Sequence, residues 1–248
     1  MARFKLTIEY DGTGLAGWQR QDNGPSVQAS LEAAAARLAE QSVDVIGAGR
    51  TDAGVHAQGQ VAHLDIVKDL SIDAVRDGLN FWLREAGTLN IVVLSAEDVA
   101  PDFHARFSAR QRRYVYRILN RRAAPALERD RVWWVAKPLD IDAMHEAARS
   151  LVGKHDFTTF RASECQAPSP IKTLDEMSVI QVEGEVLVSA SARSFLHHQV
   201  RNMVGSLKLV GEGRWTKTDL DAALAACDRN KGGPTAPAAG LTLVEVLY

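Results

Sequence analysis

Cysteine is almost missing: Cys165 and Cys227 are the only two in 248 residues. That is too few for a disulfide scaffold or a four-thiolate metal site, and both are expected as buried small apolar residues. Long hydrophobic runs are missing as well. Charges interrupt the apolar residues of the N-terminus, and no segment approaches the roughly 20 residues that a membrane-spanning helix needs. A soluble, cytoplasmic protein is the expectation. Neither sign of charge prevails, with 29 Lys and Arg against 31 Asp and Glu, so net charge alone does not announce a polyanion partner. Nucleotide loops are absent too. Gly47-Ala48-Gly49 lacks the third glycine of a dinucleotide loop, that position being Asp52, and no Gly-Lys-Ser/Thr loop occurs. No Gly-x-Ser-x-Gly elbow offers a hydrolase serine. His197 and His198 are adjacent, but neighbours on a helix point about 100° apart and no third histidine stands four residues away, so no metal site is expected. What remains is chemistry done by side chains alone, with no cofactor.

Against that background one stretch stands out, Gly47 to His63, where glycines at 47, 49, 54 and 59 surround a single carboxylate, Asp52. Glycine opens backbone angles closed to other residues and lets a large ligand approach the main chain. If residues 50 to 52 are extended, Arg50 and Asp52 share a face, and the guanidinium can hold the carboxylate ionised and oriented. An ionised, oriented Asp can act as a nucleophile.

Gly49-Arg50-Thr51-Asp52-Ala53-Gly54-Val55-His56-Ala57 closely resembles the catalytic motif of the TruA family of tRNA pseudouridine synthases, whose Arg-Thr-Asp carboxylate is the catalytic residue. The resemblance runs from near residue 4 to near residue 247. It implies isomerisation of uridine to pseudouridine in the anticodon stem-loop of tRNA, at positions 38 to 40, by a homodimer that needs no metal or cofactor. It also implies the architecture: two related α/β halves sharing a continuous, mainly antiparallel sheet flanked by helices, with an RNA cleft between them. The residues alone say only α plus β.

Phe4 to Tyr10 alternates as a strand covered on one side. The loop from Asp11 to Gln21 carries Trp18 and Arg20, which the resemblance marks as RNA contacts. Ser26 caps a helix over 26–40, Val43 to Ala48 and Gln60 to Ile66 read as the strands that bear the Asp52 loop, Ser71 starts a second helix, and Ile91 to Leu94 is a short strand. The first half, 1–102, ends there. From Phe103 to Arg131 nine arginines interleave with aromatics against only Glu128 and Asp130. Arginine forks bind phosphates and aromatic rings stack on bases, so Arg106, Arg110 and Arg112 are candidate RNA contacts. Arg113 to Leu119 alternates as a strand, and the resemblance assigns Tyr114 to the active site, beside the target base.

Further along the second half, 103–248, the pattern gives a helix over 141–152, a hairpin turning at Glu183-Gly184, a helix entered through residues 193–205, and a last helix opened by Thr218-x-x-Asp221 with Cys227 inward. The string Phe195-Leu196-His197-His198-Gln199-Val200-Arg201-Asn202 resembles the family's second signature, in which the arginine, here Arg201, reaches the catalytic carboxylate. Residues 231–240 read as a flexible or extended connection. Leu241 matches a leucine that packs beside the family's active site. Two other functions fit parts of the pattern. A non-catalytic tRNA-binding or RNA-remodelling protein would explain the arginines but not the framed carboxylate, and an N-glycosidase would start alike but release the base.

Overall fold

The computed structural model describes residues 1–22 and 24–248. The chain forms two compact units, Met1–Arg110 with Leu243–Tyr248, and Gln111–Thr242. The expected division after residue 102 lies earlier than this. Residues 103–110 stay with the first unit because Ala105 N–H donates to His63 Nδ1 at 3.1 Å, Tyr248 Oη–H donates to the Ala105 carbonyl at 2.8 Å, and Arg110 N–H donates to the Leu247 carbonyl at 2.8 Å.

In the first unit, strand β1 (Ala2–Tyr10) runs antiparallel between β3 (His56–Ile66) and β4 (Ile91–Val99). Its alternation is obeyed: Phe4, Leu6, Ile8 and Tyr10 are buried. Helices α1 (Val27–Ala39) and α2 (Ile72–Glu85) begin where Ser26 and Ser71 accept the N–H groups of Ala29 and Ala74, and they pack on each other. Leu31, Val75, Leu79 and Leu83 are fully buried, each contributing about 1.5–3 kcal/mol of apolar transfer. The strand expected over 43–48 shrinks to β2 (Ile46–Gly47), paired with β3. The backbone at Val45 bonds instead to α1, where Gln28 Nε2 donates to its carbonyl and Glu32 Oε1 accepts its N–H. Strand β4 is longer than expected, because β1 pairs along it from Tyr10↔Ile91 to Arg3↔Val99.

The second unit is an antiparallel sheet in the order β5 (Gln111–Leu119), β9 (Glu185–Ala192), β8 (Ile171–Val182), β7 (Gly153–Asp156), with β6 (Trp133–Trp134) parallel to β5. Glu183 and Gly184 turn the β8–β9 hairpin at φ 49 and 85°, the doubly left-handed pair that matches strand twist. Helix α3 (Ile141–Arg149) packs on β8 and on α4 (Gln199–Gly211), and α5 (Lys217–Ala225) follows. Each unit is thus α/β with a mainly antiparallel sheet, the fold class expected. Three local expectations are corrected. The last helix is capped by Thr216, not Thr218, since Thr216 and Asp219 satisfy each other's backbone N–H groups. Helix α3 stops at Arg149, short of 152. Cys227 is exposed and Cys165 half-buried: Cys227 lies past the end of α5 at φ 48°, where the chain has left the helix's inward face.

Candidate active site

The Asp52 loop leaves β2 and returns as β3, and its position is set by the residue between the two sequence-predicted side chains. Thr51 is buried, with its Oγ1 2.7 Å from Tyr10 Oη, while its carbonyl accepts the Trp18 N–H at 3.1 Å. Gln60, also buried, donates from Nε2 to the Gly49 carbonyl at 3.0 Å and lies 3.4 Å from Tyr10 Oη. Burial pushes the Tyr10 hydroxyl up to about pKa 12, so it stays a neutral O–H at working pH. With Thr51 turned inward, Asp52 is left half-buried and Arg50 exposed. No ion pair joins Arg50 to Asp52 among the described residues; Tyr10, Thr51 and Gln60 hold the loop.

A second layer comes from the glycine-rich loop after β1. Gly54 N–H donates to the Leu15 carbonyl at 3.3 Å, and Gly12 N–H donates to Nδ1 of the buried His56 at 3.0 Å. Glycine is obligatory at two of these contacts. A Cβ on Gly12 would lie 2.2 Å from the Val55 carbonyl oxygen, and one on Gly17, at φ +100°, 2.6 Å from that of Thr51. Trp18 belongs to this packing: it is 3 % exposed and its indole fills the space where a Gly47 side chain would begin. Arg20 is exposed and pairs with Glu32 at 2.9 Å.

In the second unit, Tyr114 is 9 % exposed on β5 opposite Ala190, its ring meeting Phe195 edge-on at 5.3 Å between centroids. The fold therefore brings the aromatic of the second signature to the predicted tyrosine. Arg201 is half-buried on the first turn of α4 and donates from Nε to the Ala236 carbonyl at 2.8 Å. Its neighbour Asn202 is buried and pins three segments: Nδ2 donates to the Phe160 carbonyl, and Oδ1 accepts from Thr235 Oγ1 at 2.6 Å and from Arg229 at 3.2 Å. Residues 231–240 accordingly form the extended of the two connections expected, pinned through Thr235 and Arg229. Gly205 lies so close beneath Pro234 that no side chain fits between them. Leu241 is buried, just after Gly240, which lies against the Tyr116 ring. His197 and His198 precede α4 rather than ride on it, with His198 left-handed at φ 61° and the rings 4.0 Å apart, so the 100° splay expected of helical neighbours does not hold.

Of the nine arginines, Arg112 and Arg117 are the two drawn in from solvent. Arg112 is 7 % exposed and donates to the Arg193 carbonyl. Arg117 makes a two-pronged bond to Glu185 and a third to Glu128, which raise its pKa further. Arg106, Arg110, Arg113, Arg121, Arg122, Arg129 and Arg131 are exposed. The residues that sequence reasoning missed are Tyr10, Thr51, Gln60 and Asn202. The available signal was a polar group at a position patterned for burial, which demands a partner.

Compared with known proteins, the chain matches the sequence profile of a family described as tRNA pseudouridine synthase over residues 6–108 and 147–248. It is 60% identical over 248 residues to tRNA pseudouridine synthase A of Rhodospirillum centenum, with 100% of both chains covered. The tRNA pseudouridine synthase A of Rhodospirillum rubrum is 58% identical, with 100% of this chain and 88% of that protein covered. That of Rhizobium meliloti is 54% identical, with 100% of both covered.

Proposed function

The chain belongs to the tRNA pseudouridine synthase family, isomerases that convert uridine to pseudouridine in tRNA, and we propose that Asp52 is its nucleophile and the anticodon stem-loop, at positions 38 to 40, its target. The observation that carries this reading is the Asp52 loop itself. Its half-buried carboxylate follows a threonine locked at both its hydroxyl and its carbonyl, which is the rigid support a nucleophile requires. The carboxylate attacks C1′ or C6 of the uridine, or draws off a sugar proton. In each case the C1′–N1 bond breaks, the uracil turns and C1′ bonds to C5; the carboxylate is released as its bond to C1′ or C6 breaks, or returns the sugar proton it took, the C5 proton passes to water and N1 takes one up, so nothing is oxidised or reduced. The target base leaves its stack at a cost of a few kcal/mol. Tyr114 supports that base, with Leu241 packed close by, and Arg201 orients the carboxylate, while the exposed Arg50, which makes no ion pair with Asp52 among the described residues, meets RNA beside it. Arg106, Arg110 and Arg20 meet RNA, while Trp18 and the buried Arg112 act from beneath as supports. The enzyme works as a cytoplasmic homodimer. Among the described residues no helix is long and apolar enough to cross a membrane.

The test is tRNA carrying tritium at C5 of uridine. One tritium is released to water per site converted, in excess chelator with nothing added, and Asp52→Asn lowers the rate by on the order of 10⁴ while tRNA affinity holds. Uracil released with its tritium intact would make the protein a glycosidase, and near-wild-type turnover by Asp52→Asn would remove the nucleophile. Mapping the modified positions checks the anticodon stem-loop.

A further inference from the structure

Phe107 is 71 % exposed, more than Phe81 at 54 % or Trp134 at 42 %. A lone surface phenylalanine needs no explanation, but the turn that presents this one is fastened at every side. His104 Nδ1 accepts the N–H groups of Arg106 at 3.1 Å and Phe107 at 3.3 Å, and His104 and Ser108 exchange two further hydrogen bonds. Beneath them Ala105 is fully buried, its N–H donated to His63 and its carbonyl taken by Tyr248. Arg3 donates to the carbonyls of Pro101 and Phe103. The rings continue this frame: His63 meets His104 at 4.8 Å, and His104 lies 4.4 Å from Phe107 at a tilt of 35°. One side of the Phe107 ring is therefore backed by an imidazole, and most of the ring still meets water. The Arg106 guanidinium lies 5.8 Å from its centre, and Arg110 is exposed three residues on.

From this arrangement we infer that Phe107 is a stacking platform for an unpaired base of the tRNA, with Arg106 and Arg110 on the adjoining phosphates. A flat ring held rigid beside two cations offers a nucleotide both of its recognition elements, a π-face and charge for phosphate. A second copy of this chain fits less well. A two-fold contact centred on Phe107 would set Arg106 and Arg110 against their own copies, like charge on like charge. The inference rests on tRNA being the substrate and adds a contact outside the Asp52 loop.

Binding of unmodified tRNA transcript, measured apart from turnover, tests it. Phe107→Ala weakens the affinity about 5- to 150-fold, the range that 1–3 kcal/mol of base stacking gives at 1.4 kcal/mol per decade. Phe107→Leu loses most of the same factor, whereas Phe107→Tyr and Phe107→Trp keep the wild-type affinity. The F107W protein also shows tRNA-induced fluorescence quenching beyond that of wild type. Melting temperatures stay level across the set, since the ring is mostly in water. Unchanged affinity in Phe107→Ala overturns the inference. A shift in its monomer–dimer equilibrium at unchanged tRNA affinity overturns it in favour of a second copy of the chain. Failure of wild type itself to bind tRNA would fall on the substrate reading instead, so the two are distinguished.

Discussion

Adding one methyl group at Gly17 tests whether the glycine-rich loop after β1 positions Asp52, the proposed nucleophile. In Gly17→Ala the new Cβ would lie 2.6 Å from the Thr51 carbonyl oxygen, 3.0 Å from the Asp52 carbonyl carbon and 3.1 Å from the Ala53 nitrogen, all of them backbone. Ordinary contact starts near 3.4 Å, so the Thr51 carbonyl must retreat by about 0.8 Å. The φ of +100° adds about 1–2 kcal/mol of backbone strain for any L-residue, and overpacking adds about 1–3 kcal/mol. Stability should thus fall by about 2–5 kcal/mol. A displacement near 1 Å at a catalytic group costs on the order of 10² in rate. Gly14→Ala is the control: its φ is +77° but nothing lies within 4 Å, so it carries the backbone strain without the push on the loop. Single-turnover tritium release at saturating enzyme, at a temperature where both variants are folded by circular dichroism, compares them directly. Gly17→Ala should be slower than Gly14→Ala by about two orders of magnitude at similar tRNA affinity. Rates equal within a factor of about two would mean that either the loop or the carboxylate has been misread.

Four further outcomes follow from the same geometry. Tyr10→Phe strips the hydroxyl from Thr51 Oγ1 and Gln60, which should cost about 1–3 kcal/mol of stability and lower kcat more than it raises KM; an unchanged kcat would leave Tyr10 a packing residue only. Replacing exposed Arg113, Arg121 and Arg122 by Gln should flatten the dependence of log tRNA affinity on log salt by roughly 0.7–0.9 per lost phosphate contact. Arg117→Gln, whose guanidinium is bonded to Glu185 and Glu128, should lower the melting temperature and leave that slope alone. Burial lowers the His63 pKa to about 4, so the unfolded chain binds a proton near pH 6.5 that the folded protein refuses until about pH 4. Stability should therefore decline as pH falls through that window and level off below it. His63→Asn keeps an acceptor for the Ala105 N–H and should lose that part of the decline in pH-dependent melts; identical profiles would show that carboxylates alone account for it.

The features that could be read from sequence are those whose cause lies within a few residues. The one-sided burial of β1 follows from strict alternation, the starts of α1 and α2 from serines whose hydroxyls reach N–H groups three residues on, and the β8–β9 turn from Glu183-Gly184. The Gly49 to Ala57 motif was legible for the same reason, since its glycines and its carboxylate are contiguous. Where a neighbour from far along the chain intervened, local rules failed. Glu32 and Gln28 took backbone partners that would have lengthened β2, and Asn202 tied down a segment that looks unstructured by composition. Arg112 and Arg117, indistinguishable in sequence from the exposed arginines, were drawn into bonds with Arg193 and Glu185. The candidate carboxylate, Asp52, was thus marked out by its own neighbourhood, but its support was not. Thr51 is held by Tyr10, 41 positions away, because a buried hydroxyl must find a partner wherever the folded chain supplies one, and only tertiary structure decides where that is.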